Sequence, residues 1–165
     1  MNTLVKSKSN FKQSNNTNAV ETMRIIVFTI GNVKLALPIE AVAKVVNQAA
    51  VYGNSLEGVG IAQVGDREVT VIDMQQQLFR SSLLNEASQA RYLIVVQNLD
   101  GELFGIPVAL VPTLMQVPFS NIRVLPNSYR HAEILRSATH VCHVPQEETP
   151  LTIFLLDVNQ LLLSV

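Results

Sequence analysis

A strand-like run that ends on a carboxylate and continues as a helical pattern occurs twice in this chain, as EVTVIDMQQQL at 68–78 and as TIFLLDVNQLL at 152–162. A duplicated phrase implies a duplicated unit, and that constrains the fold more than any single motif. The text before each copy agrees. RIIVFTIGNVKLALPIEAVAKVV, from Arg24, reads as two β-type runs around a Gly31-Asn32 turn, with Pro38 opening a short helical turn. RYLIVVQNLDGELFGIPVALVPTLMQV, 91–117, repeats the plan with Asp100-Gly101 as its turn pair and Pro107 in the place of Pro38. A further hairpin around Gly65-Asp66 leads to the first aspartate, and a longer connection with Pro145 and Pro150 leads to the second. Hairpin, helical turn, hairpin, aspartate and helix are thus written twice, with 80–90 as a polar link. Residues 1–23 are rich in Asn, Ser and Lys, and too poor in apolar side chains to offset the entropy of ordering them. They read as a disordered N-terminal arm.

Asp73 and Asp157 each stand where a strand gives way to a helix, with Gln76 and Gln160 three positions on. An aspartate there accepts a hydrogen bond from a first-turn amide, and the glutamine can reach back to the cap's own amide. Both are therefore read as structural helix caps. A catalytic or metal-binding pair is the weaker reading, because no partner residues surround either one.

Little else in the sequence carries chemistry. In HVCH, 140–143, a strand would place His140 and Cys142 on one face and His143 on the other, and no second cluster completes a zinc site. His131, beside Arg130, reads as an ordinary histidine rather than a phosphoacceptor. GVG at 58–60 lacks the spacing of a phosphate loop, and there is no GxSxG nucleophile elbow. No catalytic residue, metal or cofactor is expected, and the protein reads as a non-enzyme. A net charge of -1 and the absence of Trp disfavour a nucleic-acid partner. The uncharged run 103–122 is long enough to span a bilayer, but Gly105, Pro107, Pro112 and Pro118 break it, so no membrane insertion is expected. A lone cysteine fits a reducing, cytoplasmic setting. With 48% hydrophobic and only 15% charged residues, apolar surface is left for a partner to cover.

In order and spacing, IVFTIG followed by LALPIEAVAKVV, Gly60 ahead of VTVIDM, then YLIVVQNLDGELFGIPVALV and IFLLDVNQLL resemble the CheW-like domain family of chemotaxis-type signalling. The likeness covers nearly everything from Arg24 to Leu163. It implies a mainly β fold of two small, pseudo-symmetric, five-stranded, SH3-like β-barrels packed on a shared core, with short helices. The lobes would fall at about 24–80 and 91–155, with a terminal helix at 157–163 packing back. It also implies a non-catalytic adaptor joining the regulatory domain of a histidine kinase, itself of the same fold, to the cytoplasmic tip of a chemoreceptor in arrays that control motility. Carried onto this sequence, the receptor groove between the barrels would use Val42, Lys44, Val45, Ile61, Gln63, Gly65 and Ala109. Several depart from the family pattern: Lys44 stands where relatives often carry glutamate, Gln63-Val64-Gly65-Asp66 where many read Asn-Leu-Arg-Gly, and Val108-Ala109 where Val-Asp is typical. The alternative is a divergent stand-alone module that binds another partner or competes with the kinase array. Self-association is a further expectation, since an edge built to meet a pseudo-equivalent edge can meet its own copy.

Overall fold

A computed structural model describes residues 19–47, 49–54, 57–83, 92–130 and 136–163. Twelve strands form two six-stranded sheets. In chain order they are β1 (Thr22–Ile30), β2 (Val33–Pro38), β3 (Val42–Asn47), β4 (Val51–Asn54), β5 (Val59–Val64), β6 (Arg67–Ile72), β7 (Tyr92–Gln97), β8 (Leu103–Val108), β9 (Thr113–Pro118), β10 (Ile122–Val124), β11 (Ala138–Val144) and β12 (Leu151–Leu156). The helices are α1 (Met74–Phe79), α2 (Asn127–Arg130) and α3 (Val158–Leu163). No helix among the described residues is long and apolar enough to cross a membrane. The uncharged 103–122 stretch is divided among β8, β9 and a 3-10 turn at Phe119–Asn121.

One sheet runs β9-β1-β2-β12-β11-β10 and the other β3-β7-β8-β6-β5-β4. Adding six to each strand number in the first half, β1 to β6, gives its counterpart in the second. Even the single parallel seam in each sheet is matched: β12 beside β2 (Phe154 to Leu35) and β6 beside β8 (Thr70 to Phe104). The repeat inferred from the two aspartate phrases is therefore real, but the lobes do not follow the linear halves 24–80 and 91–155. Strands β3 to β8 make one continuous barrel, 42–108, inserted between the first two and the last four strands of the other. The correction has a physical cause. The opening hairpin of each half is apolar on both faces, so it cannot serve as the outer wall of its own half, and it pairs among strands of the other half: β1-β2 between β9 and β12, and β7-β8 between β3 and β6.

Each strip closes because its two edge strands are successive pieces of one bent stretch. Three residues separate Asn47 of β3 from Val51 of β4, and the three-residue 3-10 turn separates Pro118 of β9 from Ile122 of β10. A link of that length spans at most about 14 Å, so the two edges lie close and the expected five-stranded barrels emerge with one strand bent at a corner.

Three apolar clusters follow. Ile25, Val27, Ala36, Val117, Cys142, Ile153 and Leu155 fill the first barrel, and Ala62, Val64, Val69, Val71, Leu93 and Val95 fill the second. Between them lies the largest cluster, including Phe28, Leu35, Leu37, Ile94, Phe104 and Ile106, with Met74 of α1 and Leu161 of α3. Neighbouring residues of β1 and β8 thus face different cores, which explains their uninterrupted apolar text. A small barrel has little room inside. Gly105 occupies the position equivalent to Ala36, and a Cβ there would lie 2.7 Å from Leu93 Cδ1.

Three expectations need adjustment. β1 begins at Thr22, inside the segment read as arm, because Thr22 pairs with Pro118 and Met23 with Val117, and Glu21 accepts from Phe119 N at 3.1 Å. Residues 1–18 of that arm lie outside the described residues. The 3-10 turn of the second half follows Pro118 rather than Pro107, which sits within β8 just past Gly105, the last residue paired to β6. Finally, the 80–90 link starts with buried Ser82 and Leu83 rather than as a free polar tether, while 84–90 lie outside the described residues.

Candidate functional site: a protein-docking surface

The titratable groups are arranged as structure. Asp73 N donates to Gly58 O at 2.8 Å, and Asp157 N donates to Ser137 O at 2.8 Å, so the two aspartates hold equivalent places. That backbone pairing takes the amide each glutamine would have used in a capping box. Asp73 is fully buried: its Oδ1 accepts from Gln76 N at 3.1 Å, and its Oδ2 from Ser82 Oγ at 2.8 Å and Leu83 N at 2.7 Å. Asp157 is half-buried, and its Oδ1 accepts from Asn159 N at 2.9 Å and Nδ2 at 3.2 Å. Asn159 Oδ1 in turn accepts from Leu99 N at 3.2 Å, tying α3 to the β7–β8 turn of the other barrel. Both carboxylates are engaged by the protein's own donors.

No three His, Cys, Asp or Glu side chains among the described residues converge as a metal site. Cys142 is buried in the core of the first barrel, where burial pushes its thiol above the ordinary value. His140 is half-buried with Nδ1 2.8 Å from Thr139 Oγ1, while His143 is exposed on the opposite face. His131 lies outside the described residues.

The seven residues expected to contact a partner all belong to the continuous barrel. Val42 is half-buried and packs on the inter-barrel core. A β-bulge between Val42 and Lys44 resets the pairing with β7, and beyond it Lys44 and Val45, both exposed, stand opposite Val95 and Ile94. Val45 is 42% exposed, and no ion pair holds Lys44 among the described residues. On β5, Ile61 is 51% exposed, and Gln63 donates from Nε2 to Gly65 O at 3.1 Å. Gly65 begins the β5–β6 turn at φ +64° with no atom within 4 Å of where a Cβ would be. Ala109 is half-exposed just beyond β8. The structure therefore joins Ile61, Gln63 and Gly65 along one strand and its turn. Lys44 and Val45 lie on β3, at the far edge of the strip, which the 48–50 link carries back toward β4.

One exposed residue escaped the sequence reading. Tyr52, 73% exposed on the short edge strand β4, stands directly opposite Ile61, which stands opposite Thr70. Its neighbours Gly53 and Asn54 made the segment read as irregular, and only the pairing shows that Tyr52, Ile61 and Thr70 form one row across the sheet. The expected groove between the barrels takes a different form. A cavity of about 530 Å³ does open there, but it is lined by residues such as Met23, Glu40, Leu99, His140 and Asp157, and by none of the seven.

A family model described as the CheW-like domain matches residues 24–165. The fold is similar to that of a crystal structure described as scaffolding protein TtCheW from Thermoanaerobacter tengcongensis. The TM-score is 0.66, at 17% identity over 84% of this chain and 86% of that one. A comparison with curated proteins finds no match.

Proposed function

From the premise that this chain belongs to the CheW-like domain family, we propose that it is a non-catalytic chemotaxis adaptor that couples a histidine kinase to a chemoreceptor. The observation that carries the reading is the twin SH3-like barrel whose repeated aspartates serve structure while Val45, Tyr52 and Ile61 stay exposed on one barrel. Apolar anchors of this kind on a rigid sheet suit recognition of another protein. The kinase would present a regulatory domain of the same fold to a barrel edge. The receptor tip would lie across the outer wall formed by β3, β5 and the β5–β6 turn, in the cytoplasm, as part of a two-component array controlling motility.

A second reading is favoured by Lys44 and Gly65, which remove both members of the charge pair that the family pattern places here. Charge complementarity selects partners more than it sets raw affinity. The receptor of this adaptor would then carry its own altered charge, or the module would serve another assembly. The test is reconstitution of the full chain with kinase and receptor fragments from its own cell, using wild type and a variant combining Lys44→Glu, Gly65→Arg and Asp66→Gly. The third change is needed because Gly65 has φ +64°, and moving the glycine to the next position lets the turn change type. Binding of both partners by wild type supports the coupling role. Kinase binding without any receptor supports the second reading, and binding of neither refutes both.

A further inference from the structure

We infer that the inter-barrel cavity is the docking site of the chain's own N-terminal segment, LVKSKSNFK at 4–12. The cavity belongs to no surface assigned above. At about 530 Å³ it is of the size that holds a compact ligand or a few side chains, and it is walled by elements of both barrels.

Its position is the first reason. Met23, at the start of β1, lines it, so the chain enters the first barrel at the cavity rim, and Val20 just outside is exposed. Met23 follows Phe11 by twelve positions. A flexible tether of that length spans about 19 Å root-mean-square, about twice the breadth of a compact cavity of about 530 Å³, so it reaches across the mouth. Tethering at that range holds the segment at about millimolar effective concentration, so even a weak contact is populated.

Charge is the second reason. The lining includes the carboxylates of Glu40 and Asp157, and among the described residues it contains no lysine or arginine. Residues 1–18 carry Lys6, Lys8 and Lys12 and no acid, with Leu4, Val5 and Phe11 as apolar partners for the wall. Leu99 supplies the third reason. It stands 91% exposed at the rim, and its amide is bonded to Asn159. A large apolar side chain fixed in that position is a ready cover for Phe11.

The test places a spin label on Ser14→Cys in the full isotope-labelled chain, with buried Cys142 left unlabelled. Amide signals of Ala41, Leu99, Thr139 and His140 should lose about half their intensity at low salt. They should recover at about 0.5 M salt, where the Debye length is only a few ångströms. Glu40→Lys, or reversal of Lys6, Lys8 and Lys12 to Glu, should restore the signals in the same way, and Phe11→Ala should weaken the effect without changing its salt dependence. Unchanged signals at these amides would overturn the inference. So would broadening that appears only when spin-labelled protein without isotope is mixed with isotope-labelled protein without spin label, because the occupant would then be a second copy. Neither result bears on whether kinase and receptor bind, so this inference and the proposed function fail separately.

Discussion

Asp73→Ala should destabilise the protein several times more than Asp157→Ala, although the two aspartates occupy equivalent places in the duplicated fold. Removing the Asp73 carboxylate removes the acceptor of three hydrogen bonds, from Gln76 N, Ser82 Oγ and Leu83 N. Ser82 and Leu83 are both buried, so water does not readily replace the lost oxygen. Each buried hydrogen bond lost from a charged acceptor costs about 1–3 kcal/mol, and the lost helix cap about 1 kcal/mol. The effects share one side chain and do not simply add, which puts Asp73→Ala at about 3–5 kcal/mol. Asp157 is half-buried, and the donors to its Oδ1 from Asn159 lie within the helix it caps, so its replacement should cost about 1 kcal/mol, near an ordinary cap. Urea unfolding followed by far-UV circular dichroism measures both, and hydrogen exchange at the Leu83 amide should accelerate only in the Asp73 variant. Equal losses for the two variants, or a loss below about 1.5 kcal/mol for Asp73→Ala, would refute the assignment of Asp73 as the anchor of the 82–83 segment.

Gly65→Arg alone should destabilise by about 1 kcal/mol because φ is +64° there, and Asp66→Gly added to it should recover most of that in the same assay. Gly105→Ala should cost about 1–3 kcal/mol through collision with Leu93, and a double-mutant cycle with Leu93→Val should show coupling of opposite sign to the single loss. Burial raises the Cys142 thiol pKa, so the unfolded chain loses its proton first as pH rises. The stability it contributes is complete below the ordinary value of 9.0 and declines above it until the folded thiol also ionises. The slope reaches about 1.4 kcal/mol per pH unit, and Cys142→Ala should remove it from urea midpoints taken between pH 8 and pH 10.5.

What could be read beforehand was mostly local. Gly31, Gly65 and Gly101 mark the hairpin turns with positive φ, and the two aspartates mark helix starts, because turn and cap chemistry act within a few residues. The exchange of hairpins was hidden, since nothing near Leu35 announces Phe154 as its neighbour. Pro107 misled for a related reason: a proline inside an apolar run reads as a boundary, whereas β8 tolerates it where pairing to β6 has ended. At the docking surface, Lys44 and Gly65 were identified by position in a pattern. The bulge that resets β3 ahead of Lys44 and Val45, and the register that sets Tyr52 against Ile61, arise from pairing between strands and left no mark in either strand alone.

The insertion of one barrel within the other also sets an order of events during synthesis. Strands β3 to β8 are complete once residue 108 has left the ribosome, so the inner barrel can close while the hairpin of β1 and β2 still lacks its partners. That hairpin, apolar on both faces, must then wait until β12 emerges at Leu151–Leu156 to gain its parallel neighbour. Pairing at such separation is slow, because a long loop must close before the contact rewards it. The nascent chain therefore passes through a stage with one finished barrel and one exposed sticky hairpin, the interval in which a chaperone, or a neighbouring chain at the same stage, has the most to hold.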